Sequence, residues 1–121
     1  MRRALAAVAV PLALWAGGAA AAPDDAVPAA RQVALVRMVR HDCGACHGMR
    51  LTGGLGPALT PQALADKPLD SMVATVVYGR PGTPMPPWRA MLDDSEARWI
   101  VEQLARGFPE LPGNAAVGST R

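Results

Sequence analysis

The two cysteines of the chain lie three residues apart and are followed directly by a histidine, in the run Cys43-Gly44-Ala45-Cys46-His47. The pattern C-x-x-C-H is typical of the covalent attachment of c-type haem. Two thiols at this spacing lie on one turn of backbone and reach the two vinyl groups on one side of a porphyrin. The adjacent imidazole is then placed beneath the iron as its proximal axial ligand. The motif therefore predicts a fold built around one covalently attached haem c.

The hydrophobic core that the side chains can supply is thin. The chain has 121 residues, of which only 4% are aromatic, so it forms one small domain. Trp15 lies in a segment that we expect to be removed, which leaves Tyr78, Trp88, Trp99 and Phe108. Domains of this size often need a disulfide, a metal or a cofactor to fold. A haem would be the centre on which the helices pack, so we expect the apo protein to be largely unfolded.

The first 21 residues have the pattern of a secretory signal peptide. A charged start, an apolar run over residues 4–16 and a zone of small residues follow one another. We expect cleavage after Ala21 rather than Ala22, because Pro23 would otherwise stand directly after the cut. The apolar run is shorter than the ~20 residues that span a bilayer, so no stable membrane insertion is expected after cleavage. The prediction is a periplasmic protein with a signal peptide (1–21), a folded domain (22–107) and a flexible C-terminal tail (108–121).

The mature chain carries almost no net side-chain charge. Loss of the signal segment removes two arginines and no acid, which leaves ten basic residues against ten acidic ones. Nucleic-acid binding requires a basic face with interleaved aromatics, so we exclude that class of function. Charged side chains of helices usually lie on solvated faces. We expect this of the arginines that flank the cysteines, Arg31, Arg37, Arg40 and Arg50.

The exported part of the chain predicts an all-α fold of three main helices joined by loops. Composition favours a first helix between about Asp25 and His41, although arginines and a glutamine interrupt its apolar stripe. Five glycines from Gly44 to Gly56 indicate a loop, and the prolines from Arg80 to Trp88 indicate a second, stiff loop around Met85. No repeat, heptad or alternating strand pattern is present.

The later helices carry clear boundary signals. Thr60 is an N-cap for a short helix from Pro61 to Ala65. A helix from Pro68 is expected to end at Gly79, and its apolar positions are Leu69, Met72, Val73, Val76 and Val77. A D-x-x-E capping pair, Asp93 and Glu96, precedes the last helix. This helix runs from Asp94 to about Arg106, with Ala97, Ile100, Val101 and Leu104 on its buried side and Gly107 after its end.

Three other uses of the cysteine pair stay open. A thioredoxin-like redox pair requires a βαβ surrounding that the chain does not predict, and a structural disulfide is the second alternative. A zinc ion would have to recruit His41 together with the motif, but the neighbours Cys46 and His47 serve one tetrahedral centre poorly. Haem is favoured, because the export signal directs the chain to the compartment in which haem attachment takes place.

The second axial ligand has to come from the other face of the ring, and methionine is the expected donor. Met85 lies between two prolines, whose fixed φ angles lower the entropy cost of holding a weak thioether on iron. Met91 and a water molecule, or no ligand, stay open as alternatives. The remaining candidates are disfavoured by their position in the chain or by core packing: His41, Met38, Met49 and Met72.

The order of these motifs resembles class I cytochrome c over nearly the whole mature chain. Gly56-Pro57, Tyr78-Gly79 and Pro84-Met85-Pro86-Pro87 follow the haem motif in that order, and a helix closes the domain. More narrowly, residues 41–48, 55–59 and 82–88 resemble the NirC-type cytochromes of denitrifying bacteria, which accompany the haem c/haem d1 nitrite reductase. The resemblance implies a small all-α class I cytochrome c fold with helices packed around one haem.

The resemblance also implies roles for individual residues. Cys43 and Cys46 would attach the haem, His47 and Met85 would be its axial ligands, and the Pro57 carbonyl would accept the Nδ1 hydrogen of His47. Trp88 and Tyr78 would pack around the porphyrin, although filling of the protein core explains either residue equally well. The first and last helices are expected to meet through Leu35 and Val39 facing Ile100 and Gln103, which differs from the small/aromatic contact usual in the class.

The function implied is one-electron transfer in the periplasm, not enzymatic catalysis, by a monomer whose partner is the nitrite reductase. An accessory role in making or inserting haem d1 is the alternative, and a thiol–disulfide protein is the outside alternative. Arg50, Arg80 and Arg89 are expected near the exposed haem edge, where they would meet an acidic partner.

Overall fold

The computed structural model describes residues 26–111, which form an all-helical domain without a β-strand, as the sequence predicts. The predicted signal peptide and residues 112–121 of the predicted tail lie outside the described residues. Within residues 26–111 no helix is both long enough and apolar enough to cross a bilayer. The helical elements are α1 (Ala29–Met38), a π turn (Val39–Cys43), α2 (Gly44–His47), α3 (Pro61–Leu64), α4 (Leu69–Tyr78) and α5 (Asp94–Arg106).

The helical backbone of the first helix continues through the cysteine motif. The loop predicted to begin at Gly44 is wrong in its first residues, because α2 reaches His47. The connection between α1 and α2 is a π turn, in which the Gly44 N–H donates to the carbonyl of Val39, five residues earlier. Gly44 is buried, and an added Cβ would lie 3.5 Å from the Met49 α-carbon. Gly44 is therefore part of a helix, and an alanine at this position would make only ordinary contacts.

The boundary signals of the later helices are confirmed. Thr60 Oγ1 accepts from the Ala63 N–H at 3.3 Å and caps α3, which ends at Leu64. Asp93 and Glu96 form both hydrogen bonds of a capping box at the start of α5. The helices α4 and α5 end at Gly79 and Gly107, whose φ angles are 68° and 104°.

The core lies between the first and last helices. Leu35 of α1 and Val39 of the π turn are fully buried and share one cluster with Ile100 and Leu104 of α5. Gln103, the other residue expected at this contact, is half-buried, and the buried stripe of α5 runs through Leu104. The α4 helix packs along α5, but of its predicted apolar positions only Val77 is fully buried.

The first residues of the predicted tail contact the folded domain. Phe108 lies edge-on to Trp99, with ring centroids 6.5 Å apart. The Arg40 side chain, expected on a solvated face, is instead buried and donates hydrogen bonds to the carbonyls of Phe108 and Pro109. Arg31 is also engaged, in an ion pair with Glu96 that joins α1 to α5.

Candidate haem-binding site

The two cysteines lie on one helical turn and do not form a disulfide. Cys43 is half-buried and Cys46 is exposed. Burial, with a smaller contribution from the nearby Asp42 carboxylate, raises the pKa of Cys43 to about 11. Redox-active C-x-x-C pairs need the opposite shift, because a lowered thiol pKa is what forms the attacking thiolate. The site therefore disfavours the thiol–disulfide alternative.

The zinc alternative also lacks a site. Among residues 26–111 no three His, Cys, Asp or Glu side chains converge in a way that could hold a metal ion. His41 is exposed on the π turn. The histidine and cysteines of this segment thus do not form the tetrahedral set that a structural zinc ion requires.

The His47 imidazole is fixed by the loop that follows the motif. Its Nδ1 atom lies 2.7 Å from the Pro57 carbonyl oxygen, the contact that the resemblance implies. A carbonyl can only accept, so this contact puts the proton on Nδ1 and leaves the lone pair of Nε2 free for a metal. The loop is itself tied to the motif, because the Gly56 N–H donates to the Cys46 carbonyl at 2.8 Å.

Gly56 lies directly against the imidazole. A Cβ at this position would be 2.8 Å from Cε1 and 2.9 Å from Nδ1 of His47. Any side chain would displace the ring, so glycine is required here by the close approach. The glycine-rich composition predicted the loop, but the ring contact is visible only in the folded chain.

The loop that carries Met85 is closed by its own hydrogen bonds. The Arg80 N–H donates to the Met85 carbonyl at 3.1 Å. Thr83 Oγ1 donates to the Arg80 carbonyl at 2.7 Å and accepts from the Met85 N–H at 3.3 Å. Thr83 is not among the predicted site residues, although a hydroxyl two residues before the methionine is a known signal of a side-chain-supported turn. The thioether is thereby held on a short, braced loop.

Gly79 anchors this loop to the end of α4. A Cβ at Gly79 would lie 2.7 Å from the Met85 carbonyl oxygen and equally close to backbone atoms of Pro86 and Pro87. The loop continues into Trp88, whose N–H donates to the Val76 carbonyl at 3.0 Å. The Met85 segment is therefore packed, backbone to backbone, on the α4 helix.

The other candidate residues are distributed as follows. Trp88 is half-buried and packs against the core cluster, as does Met72, so core packing explains Met72 as predicted. Tyr78 is 61% exposed and Met91 is 53% exposed. Met91 lies in a turn in which its N–H donates to the Trp88 carbonyl.

These donors fit a c-type haem. The chain offers two thiols on one helical turn, an imidazole whose Nε2 is free and a thioether on a braced loop. This donor set is the one that cytochromes c use for covalent attachment and His/Met ligation. Gly56 packs against the imidazole ring, and Gly79 packs against the backbone of the loop that carries the thioether.

An all-helical domain with this donor set defines a c-type cytochrome. Residues 28–103 match the family model described as cytochrome c oxidase, cbb3-type, subunit III. The chain belongs to the class I c-type cytochromes, and its cofactor is covalently attached haem c. Its single C-x-x-C-H motif makes it a monohaem protein.

Within this class the chain is a close homologue of the cytochrome c55X proteins. It is 56% identical to cytochrome c55X of Stutzerimonas stutzeri over 70% of this chain and 76% of that protein. It is 46% identical to cytochrome c55X of Paracoccus denitrificans over 84% of this chain and 96% of that protein. A solved structure of the c-type cytochrome NirC is 57% identical, with a TM-score of 0.66 over 67% of this chain and 95% of that one. Like these homologues, the chain is a small c-type cytochrome.

A larger protein contains a similar region. Dihydro-haem d1 dehydrogenase of Pseudomonas aeruginosa is 35% identical over 62% of this chain, which corresponds to 15% of that enzyme. A solved structure of dihydro-haem d1 dehydrogenase NirN in complex with DHE matches with 34% identity and a TM-score of 0.56, over 63% of this chain and 16% of that one.

Three exposed arginines lie close in sequence to residues of the candidate site. Arg50 follows the cysteine motif, whereas Arg80 and Arg89 flank the Met85 loop. All three are exposed, and none forms an ion pair with a residue of the described range 26–111. Their charges are therefore available to a binding partner.

Proposed function

We propose that the chain carries single electrons in the periplasm through its haem c. In this proposal Cys43 and Cys46 would attach the haem through thioether bonds, and His47 and Met85 would be the two ligands of its iron. The haem supplies a one-electron redox centre, and a His/Met ligand pair favours its reduced state. With both axial positions filled by the protein, a substrate has no open coordination site.

The protein holds its two proposed ligands in different ways. The Pro57 carbonyl accepts the Nδ1 hydrogen of His47, which fixes the orientation of the ring and raises the basicity of Nε2. The hydrogen bonds around Thr83 keep the Met85 backbone in one conformation, so little entropy is lost when the thioether binds. Trp88 provides apolar surface that excludes water near the Met85 loop.

The observation that carries the proposal is the contact between Nδ1 of His47 and the Pro57 carbonyl. It joins the histidine of the C-x-x-C-H motif to a proline ten residues later in the chain, and it leaves Nε2 of the imidazole free to bind iron. The test is to express the protein with its signal peptide and to record its mass and absorption spectrum. A Soret band and the added mass of one haem are expected. A colourless protein with the mass of its amino acids alone would refute the proposal.

We propose the haem c/haem d1 nitrite reductase as the electron acceptor. Support comes from the similarity to the NirC-type cytochromes and from the exposed arginines around the candidate site, which would attract an acidic docking face. The test is to mix the reduced cytochrome with the purified reductase and to follow oxidation of the cytochrome in the stopped-flow instrument. Rapid oxidation that slows with added salt is expected. Oxidation at the rate of an unrelated cytochrome would refute this partner.

A second candidate function is an accessory role in haem d1 biosynthesis. It is favoured by the similar region found within dihydro-haem d1 dehydrogenase. A dehydrogenation releases two electrons, so a monohaem carrier would accept them in two successive encounters. Deletion of the gene separates the two functions. If the reductase of the deletion strain lacks haem d1, the biosynthetic role is supported, whereas a complete but slowly reduced enzyme supports electron delivery.

A further inference from the structure

Arg40 is the one charged residue within the described range 26–111 whose side chain is buried, with 6% of its surface exposed. Its Nη2 atom donates to the carbonyls of Phe108 at 2.9 Å and Pro109 at 2.8 Å, and its Nε donates to Pro109 at 3.1 Å. Nη2 also lies 3.2 Å from Oε1 of Glu110, and the guanidinium carbon lies 5.5 Å from the centre of the Phe108 ring. The Nε and Nη2 edge of the guanidinium thus faces several acceptors at once, an arrangement that the single ammonium group of a lysine could not reproduce.

These contacts act on the segment that leads into the cysteine motif. Arg40 belongs to the π turn, which ends at Cys43. Its Nη1 also reaches the Met49 carbonyl, at 3.5 Å, just beyond the motif. Arg40 lies just before the motif and contacts the backbone just after it. The same guanidinium also binds the segment after α5, so it links these parts of the chain.

The π turn matters because it sets the rotation of α2 relative to α1. One extra residue in a helical turn rotates everything beyond it by about 100°. Wide turns of this kind are uncommon and occur often at functional sites. The turn needs support from the surrounding structure, and the buried guanidinium with its carbonyl acceptors supplies it.

We propose that Arg40 is a positioning residue for the haem: it stabilises the π turn and so fixes the direction in which His47 and the two cysteines point. Arg40 acts through the backbone and needs no contact with the haem. This inference rests on the proposed ligation of the iron by His47.

The test compares Arg40→Lys with Arg37→Lys in the full-length, haem-loaded protein. Arg37 lies three residues earlier, in the last turn of α1, and is exposed, so it is the matched control. The readouts are the haem-methyl proton resonances and the electron paramagnetic resonance g-values of the oxidised protein, both of which depend on the orientation of the axial ligands. Arg40→Lys is expected to shift both, and Arg37→Lys is expected to leave both unchanged.

Phe108→Leu is the second variant, because it removes the aromatic contact but leaves the guanidinium and its backbone acceptors in place. It is expected to shift the same resonances in the same direction by a smaller amount, and it decides the outcome if Arg40→Lys yields no haem-loaded protein. The proposal is overturned if Phe108→Leu has wild-type resonances and Arg40→Lys either has wild-type resonances too or yields no holoprotein. The melting temperatures of the variants do not affect this decision. If the wild-type protein itself lacks a His/Met spectrum, the proposed function fails instead.

Discussion

The α-carbon of Gly56 faces the imidazole of His47 so closely that a methyl group at this position would lie 2.8 Å from Cε1 of the ring. The loop carrying Gly56 and Pro57 therefore determines where the ring lies as well as the direction of its Nδ1 hydrogen. The orientation of the proposed iron ligand thus depends on a residue that contributes no side chain.

We predict that Gly56→Ala displaces the His47 ring and lowers the haem content of the purified protein several-fold. The measurement is the ratio of Soret absorbance to protein concentration. Gly44→Ala is the control, because its Cβ would make only ordinary contacts of 3.5 Å or more and alanine is the better helix former. Equal haem content in the two variants would contradict the role of the close approach.

Replacement of the proposed sixth ligand gives a second prediction. Met85→Leu is expected to lower the reduction potential and to remove the far-red absorption band that a thioether gives with ferric iron, because leucine has no donor atom. Met91→Leu is the control, since this methionine is the alternative ligand and is exposed. Loss of the band in Met91→Leu instead would identify Met91 as the ligand.

The capping box of α5 predicts a dependence of stability on pH. Hydrogen bonds from the Ser95 hydroxyl and the Glu96 N–H hold the pKa of Asp93 below its ordinary value of 3.8. The stabilisation is therefore complete above that value and is lost as the pH falls through the lower folded pKa. Asp93→Ala is expected to cost about 1 kcal/mol of unfolding free energy at neutral pH and less in acid. Denaturant unfolding at both pH values measures this, with the adjacent Asp94→Ala as control.

Neutralisation of the exposed arginines tests the docking surface. Arg50→Gln, Arg80→Gln and Arg89→Gln together are expected to slow electron transfer to the reductase about tenfold at low ionic strength and to flatten its salt dependence. Arg106→Gln is the control, because this arginine lies at the far end of α5 next to Glu102. If the triple variant keeps the wild-type rate and salt slope, the three arginines do not form the docking site.

The α5 helix was predictable because all of its signals are local. Asp93 and Glu96 lie three residues apart, the four buried positions recur at helical spacing and Gly107 ends the helix, as the structure has it. The haem motif was equally predictable, because covalent attachment and ligation by the histidine need fixed residue types within five positions.

The buried face of the first helix was less predictable from the sequence, and Arg40 explains why. The buried positions are Leu35, Val36, Val39 and Arg40, which form a regular helical stripe with an arginine in one apolar position. A charged residue in such a stripe makes the pattern look interrupted. The hydrogen-bond partners of Arg40 are backbone carbonyls near the other end of the domain, and no local sequence pattern predicts them.

The residue types and their order were enough to establish the class of protein, the cofactor and an all-helical fold, because covalent haem attachment and helix capping are short-range chemistry. The rotation of the motif by the π turn, the glycine against the His47 ring and the close packing of Gly79 on the Met85 loop are visible only in the folded chain. Each of these depends on distances between atoms that the folding of the chain brings together.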